Sequence, residues 1–287
     1  MKPAKFDYHA PASLDEALAL LARYGDEARL LAGGQSLVPM MNFRLVAPAA
    51  LIDLNRVADL DHIVTDGAMV RIGAMTRQRT IEFSPLIADR LPLLQQAIKW
   101  IGHLPTRSRG TIGGSIAHAD PAAEIPMVLR ALDGEVVARG AGGERRIAAA
   151  DLFLSPLTTA LAPDEILTEI RLPAMPEGAG CAIEEFARRH GDFAIASVAA
   201  MVVHTGGGRY TVRLATGGIG AVPGRLGAAE TILEQQGFGA AALAAAAEKA
   251  AELVDPLSDH NASADFRRHL TAVLTRRAAI AAARAVA

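Results

Sequence analysis

The chain has 287 residues, 51% hydrophobic and 21% charged, the balance of a globular protein of about two domains with room for substantial cores. Lysine and arginine (29) nearly offset aspartate and glutamate (31) for a formal net charge of -2, and aromatics are only 4%, which excludes the basic, base-stacking surface of a nucleic-acid binder. The single cysteine, Cys181, excludes an internal disulfide framework and any iron–sulfur cluster held by this chain alone.

The opening residues, Met1-Lys2-Pro3-Ala4-Lys5-Phe6-Asp7, lack the apolar core of a signal peptide. No apolar run approaches the ~20 residues of a membrane span, so a cytoplasmic location is expected. Ser13 and Glu16 form a capping box before an apolar-periodic helix that Gly25 ends. Residues 28–32 read as a short buried strand leading into Gly33-Gly34; Val38-Pro39-Met40-Met41 starts a brief helical turn, and residues 50–54 are a second strand. This is a small βαβ-like unit with a glycine turn where a phosphate would sit.

Asp66-Gly67 predicts a hairpin between residues 63–65 and 69–72. Helices are expected around 76–82 and 93–101. The stretch 102–110 reads as polar and irregular, running into a second glycine turn, Thr111-Ile112-Gly113-Gly114-Ser115. Pro121 suits the first turn of a helix reaching about Ala131. A hairpin over 134–138 and 144–147 and a strand over 165–172 follow. Residues 173–178, rich in proline and glycine, read as a linker. Strands over 195–204 and 210–216 flank a plain turn at Gly206-Gly207-Gly208. From Leu226 onward the chain is mostly helical, with helices over 240–253 and from about Ala262.

The two Gly-Gly segments share one grammar: a preceding extended stretch, adjacent glycines, then a small polar residue. Glycine pairs permit positive φ and leave no Cβ, so backbone N–H groups can converge on an anion. Either pair alone reads more readily as an ordinary tight turn; two of matching form suggest loops gripping one diphosphate from both sides. Neither fits G-x-G-x-x-G or the P-loop pattern.

His118, Asp120 and Glu124 follow the second segment, placed for capping or for hydrogen bonds to a ligand hydroxyl rather than for a metal. His103 reads as a structural histidine and Cys181 as an inert buried thiol. The patch Glu184–Phe193 is either a solvated strand and turn or a loop laid across a planar ring by Phe193. Arg267, Arg268, Arg276 and Arg277 read as an exposed helix face. No hydrolase nucleophile elbow is present.

Three stretches, Ala32–Met41, Thr111–Pro121 and Arg188–Ala194, resemble the medium, FAD-binding subunit of molybdenum hydroxylases, the carbon monoxide dehydrogenase and xanthine dehydrogenase group. The resemblance covers nearly the whole chain, from Lys2 to Arg267. It implies an α+β fold: a PCMH/vanillyl-alcohol-oxidase-type FAD-binding domain of two α/β subdomains, 1–56 and 57–175, then a C-terminal domain, 179–287, of a small antiparallel sheet with helices. It also implies that Ala32, Gly33, Gly34, Gln35 and Ser36, with Thr111, Ile112, Gly113, Gly114 and Ser115, hold the FAD diphosphate. Glu124 would face the ribityl or adenosine side, and His118 is counted with the cofactor-binding residues. Leu161, Asp192 and Phe193 would lie at the isoalloxazine.

The implied partners are a large molybdopterin subunit and a small subunit with two [2Fe-2S] clusters, in a dimer of heterotrimers. FAD would pass electrons to a quinone, NAD or oxygen, with no catalytic side chain and no metal here. Ser115 stands where many members carry asparagine, Phe193 where some carry tyrosine, and Glu184 and Glu185 where several place a lysine; Leu104-Pro105-Thr106 also departs from the usual loop. A non-redox scaffold and a stand-alone flavin oxidase are the two other readings.

Overall fold

The computed structural model describes residues 1–286, so Ala287, the last residue of the predicted C-terminal domain, lies outside the described residues. The N-terminal unit comprises β1 (Asp7–His9), α1 (Leu14–Tyr24), β2 (Ala28–Leu31), α2 (Leu37–Asn42) and β3 (Ala50–Asp53). Its three strands pair in parallel in the order β1-β3-β2. Helix α1 starts where expected: the Ser13 hydroxyl accepts from the Glu16 N–H at 3.2 Å. The Glu16 carboxylate closes the cap on the Ala12 N–H at 2.8 Å, one residue earlier than a standard box. Gly25, at φ +52°, turns the chain out of the helix.

The middle unit opens with the hairpin β4 (Ile63–Asp66) and β5 (Met69–Gly73). Six short helices follow: α3 (Gln78–Phe83), α4 (Pro85–Arg90), α5 (Pro92–Ile98), α6 (Leu104–Arg109), α7 (Ile112–His118) and α8 (Glu124–Ala131). Then come β6 (Glu135–Gly140), β7 (Gly143–Ala148), the turn-length α9 (Ala149–Leu152), a small pair β8 (Phe153–Ser155) and β9 (Thr158–Thr159), and β10 (Ile166–Pro173). The main sheet runs β4-β5-β10-β6-β7 and is antiparallel throughout.

Three expectations need correction here. Residues 104–109 are helical rather than irregular, because Pro105 sits in the first turn and Arg107 donates to the Ile101 and Gly102 carbonyls at 2.9 and 3.3 Å. Pro121 does not begin a helix: α8 starts three residues later, after a turn in which the Asp120 carboxylate accepts from the Ala122 N–H at 2.9 Å. Residue 173 ends β10 inside the sheet, paired with Met69; Pro is tolerated at a strand end.

The C-terminal part comprises β11 (Gly180–Phe186), β12 (Ala196–Gly206), β13 (Arg209–Gly217) and β14 (Gly224–Arg225), then α10 (Gly227–Gln236), α11 (Ala240–Leu253) and α12 (Ala264–Arg284). The sheet is antiparallel, in sequence order. Its strands are buried on both faces, which is why they read as nearly unbroken apolar runs. Cys181, Ile183, Ala199 and Met201 join the core beneath the middle unit. Ala182, Val198, Ala200 and Val202 join the core beneath α10, α11 and α12. The sheet is therefore a shared wall between two cores.

Arg267 is not on an exposed helix face. It is 7% exposed and donates to the carbonyls of Ile195 (2.6 Å) and Gly218 (2.5 Å) and to Asp259 (2.8 Å). Arg276 and Arg277 are exposed as expected, and Arg268 is half-buried.

Candidate functional site

A cleft of roughly 590 Å³ runs between the N-terminal and middle units. Every residue that the resemblance assigns to the cofactor, except Ile112, lines it. Ile112 is fully buried in the core of the middle unit, and its N–H is taken by the Thr76 carbonyl at 3.1 Å. It holds the segment in place and is removed from the contact set.

The two glycine segments meet face to face. A Cβ on Gly33 would fall 2.5 Å from the Arg109 carbonyl oxygen and 2.7 Å from the Gly110 Cα, so only glycine allows this approach. A Cβ on Gly114 would lie 2.8 Å from the Thr111 Oγ1 and 3.4 Å from the Ala32 Cβ. Polar side chains tie the segments further: Arg77 donates to the Arg109 carbonyl and to Asn55 Oδ1, and Asn55 donates to the Ala32 carbonyl at 3.0 Å.

Their backbones differ, which corrects the expectation of two matching turns. Gly34 is at φ +72° in a true loop before α2. The N–H groups of Gly33, Gly34, Gln35 and Ser36 find no protein acceptor among the described residues. Gly113 and Gly114, by contrast, are helical and sit in the first turn of α7. All of that turn's donors are used: Gly113 N–H reaches the Ala74 carbonyl (2.9 Å), Gly114 N–H the Thr111 hydroxyl (3.1 Å) and Ser115 N–H the Thr111 carbonyl (3.2 Å). The glycines are required here for closeness, since a Gly113 Cβ would sit 2.5 Å from the Ala74 Cβ. One wall offers donors; the other offers a smooth face.

This arrangement agrees with the comparisons. Residues 4–175 match the family model described as the FAD binding domain in molybdopterin dehydrogenase, and residues 182–282 match the CO dehydrogenase flavoprotein C-terminal domain. The chain belongs to the medium, FAD-binding subunits of the molybdenum hydroxylases. It is 42% identical to the 6-hydroxypseudooxynicotine dehydrogenase complex subunit alpha of Paenarthrobacter nicotinovorans, over 96% of this chain and 94% of that protein. It is 38% identical to the carbon monoxide dehydrogenase medium chain of Hydrogenophaga pseudoflava, over 98% of each. The structure of carbon monoxide dehydrogenase from Hydrogenophaga pseudoflava that lacks the Mo-pyranopterin moiety superposes with a TM-score of 0.97 at 40% identity, covering 100% of both chains. This is an oxidoreductase subunit by family.

In this FAD-binding medium subunit, the left-handed Ala119 (φ +52°) ends α7 and turns the chain so that His118 and Asp120 both reach the cleft. Glu124 stands in the first turn of α8, 6% exposed, and burial lifts its carboxyl from 4.5 to about 7, with Asp120 adding to the rise. Asp192 and the 63% exposed Phe193 come from the loop between β11 and β12. That loop rests on His103, the residue just before α6, because Gly191, at φ +88°, packs against the His103 ring; a Cβ there would lie 2.6 Å from the His103 Cε1. Leu161 enters from the chain after β9.

Some cleft residues carry no readable signal in the sequence. Gln78 is 5% exposed with its Oε1 unpartnered, pressed against Gly110. Gly110 itself precedes the second motif, and its need for glycine arises mainly from that long-range contact, a Cβ there falling 2.6 Å from the Gln78 Oε1. Among the described residues, no three His, Cys, Asp or Glu side chains are grouped to hold a metal. Among the described residues, no helix is long and apolar enough to cross a membrane either. Cys181 is buried, its thiol pushed up to about 11 by desolvation, with Gln96 donating to it at 3.5 Å.

Proposed function

We propose that this chain holds FAD in the cleft with residues 32–36 and 111–115, Ile112 excepted, and serves as the electron outlet of a three-subunit molybdenum hydroxylase. The observation carrying the reading is the row of four backbone donors, Gly33 to Ser36, left without protein acceptors. Gly33 is buried and Gly34 and Ser36 are half-buried, buried N–H groups are rarely left unpaired, and a diphosphate in the cleft supplies oxygens to satisfy the row. The opposite wall fits as well: Gly114 presents no Cβ, and the Thr111 hydroxyl, already accepting from Gly114, has its own proton free to donate. Glu124 and His118 are placed for the ribityl or adenosine side, and Leu161, Asp192 and Phe193 for the ring. The three predicted units, 1–56, 57–175 and 179–287, are kept as the domain division.

FAD supplies the exchange between one-electron and two-electron steps. The residues of this chain position it, exclude water from its phosphates and surround its ring; none is needed as a general acid or base. Because the single cysteine is buried among apolar groups, iron–sulfur clusters belong to a partner. Likeness to the carbon monoxide dehydrogenase medium chain supports an assembly of a large molybdopterin subunit, a small subunit with two [2Fe-2S] clusters and this chain, arranged as a dimer of heterotrimers, with a quinone, NAD or oxygen as acceptor.

Purified from its native source, the chain is expected to elute with FAD, molybdenum and iron in one fraction, and substrate added without oxygen should bleach the flavin. A chain that elutes with bound FAD but oxidises small alcohols or aldehydes alone would instead support the stand-alone oxidase. One that elutes without flavin or metals would support the scaffold.

A further inference from the structure

Among the described residues, several buried polar side-chain atoms lack a hydrogen-bond partner, and only one of them, the Gln78 Oε1, belongs to a residue lining the cleft. Its placement is fixed by the backbone. Gln78 is the first residue of α3, and its N–H donates to the Gly110 carbonyl at 2.9 Å. The preceding Arg77 bridges to Thr111. The carboxamide then fills the space that a side chain on Gly110 would take: a Cβ there would lie 2.6 Å from the Gln78 Oε1 and 2.9 Å from its Cδ. Gln78 is 5% exposed. A carbonyl oxygen shielded from water and given no donor is costly, and native proteins rarely keep one without a use.

The position along the cleft narrows that use. Gly110 touches Gly33, the first of the four free backbone donors, since a Gly33 Cβ would fall 2.7 Å from the Gly110 Cα. From Gly110, α6 leads back to His103, on which the loop bearing Asp192 and Phe193 rests. Six helical residues span about 9 Å, and Thr106 and Gly102 line the cleft along this stretch. Gln78 therefore stands beside the phosphate end of the interval between the donor row and the ring loop. In FAD the ribityl chain bridges that interval. An amide oxygen can only accept, and diphosphate oxygens are acceptors too, whereas the ribityl hydroxyls donate.

We propose that Gln78 is a cofactor-binding residue whose Oε1 accepts a hydrogen bond from a ribityl hydroxyl of the bound flavin. This rests on the reading of the cleft as the FAD site. The amide is unsatisfied in the empty protein and satisfied in the loaded one, so its removal acts with opposite sign on the two. A residue kept only for packing would not behave in this way.

The test uses the cofactor-stripped full chain and two apolar variants, Gln78→Met, which keeps the length of the side chain, and Gln78→Leu. FAD affinity, read from flavin fluorescence, is expected to fall about tenfold in both, the loss of one hydrogen bond. Affinity for ADP, which has the diphosphate but no ribityl chain, should be unchanged. The visible spectrum of the bound flavin should not shift, because the ring keeps its contacts. The stripped Gln78→Met chain should unfold at or above the wild-type temperature, because an apolar group replaces an unpaired one.

Equal FAD affinity in wild type and both variants would overturn the proposal. A matching loss of ADP affinity would assign the amide to the diphosphate, and a shifted flavin spectrum would assign it to the ring; either overturns the ribityl contact. Stripped variants that both unfold well below the wild type would make the amide a packing group and overturn it as well. A wild-type chain that takes up no FAD would overturn the reading of the cleft itself, a result distinct from equal uptake by all three chains.

Discussion

Gly113→Ala is expected to yield a chain that keeps its fold at reduced stability and loses most of its FAD. The new Cβ would lie 2.5 Å from the Ala74 Cβ and 2.6 Å from the Ala74 carbonyl oxygen, atoms that move only with β5 and the chain that follows it. The same carbonyl accepts the Gly113 N–H at 2.9 Å, so relieving the clash breaks the bond that docks α7. Overpacking of this kind costs about 3 kcal/mol, and the better helix propensity of alanine returns about 1 kcal/mol. The net loss of about 2 kcal/mol should be visible in thermal unfolding. Flavin affinity should fall about tenfold or more, because α7 carries Gly114 and Ser115 along one wall of the cleft. Gly142→Ala, with nothing within 4 Å of its added Cβ, should be nearly neutral in both measurements. Equal behaviour of the two variants would contradict the packing argument.

Arg267→Ala is expected to destabilise the chain by about 2–4 kcal/mol, mostly from the backbone carbonyls it leaves without a donor, since the Asp259 side chain is 44% exposed and is rehydrated. Three acceptors lose their donor together: the carbonyls of Ile195 and Gly218, and Asp259. The two carbonyls are left buried, each at a cost of about 1–3 kcal/mol. The effect should reach the cleft. The loop bearing Asp192 and Phe193 is closed at its base by the Ile195 N–H on the Phe186 carbonyl at 2.8 Å, and Arg267 fixes the same residue from the other side. Arg267→Lys should recover little, since one ammonium cannot span three diverging acceptors as a guanidinium does. Denaturant unfolding measures the first effect, and flavin fluorescence of the surviving folded fraction the second. A loss below about 1 kcal/mol would mean that water replaces the guanidinium at these carbonyls.

Arg267 also marks where the sequence stops being legible. In an alanine-rich helix such as α12 the apolar spacing hardly distinguishes one face from another, so an arginine reads as exposed by default. Its burial depends on carbonyls 72 and 49 residues away. Local signals fared better. The Ser13 cap, the Asp66-Gly67 hairpin and the bounds of α11 all follow from neighbouring residues, and each stands where read. The second glycine segment was legible as a motif but not as a helix, because paired glycines are poor helix formers. Its helical state is imposed by packing on Ala74.

The most direct test of the account is the flavin content of the purified chain, read from its visible spectrum and from chromatography of the cofactor released by heating. The account predicts FAD close to one per chain, or stoichiometric uptake of added FAD by a stripped chain. A chain that holds FMN in preference to FAD would contradict the two-walled diphosphate site, since FMN carries one phosphate. A colourless chain that takes up no FAD would contradict the reading of the cleft itself.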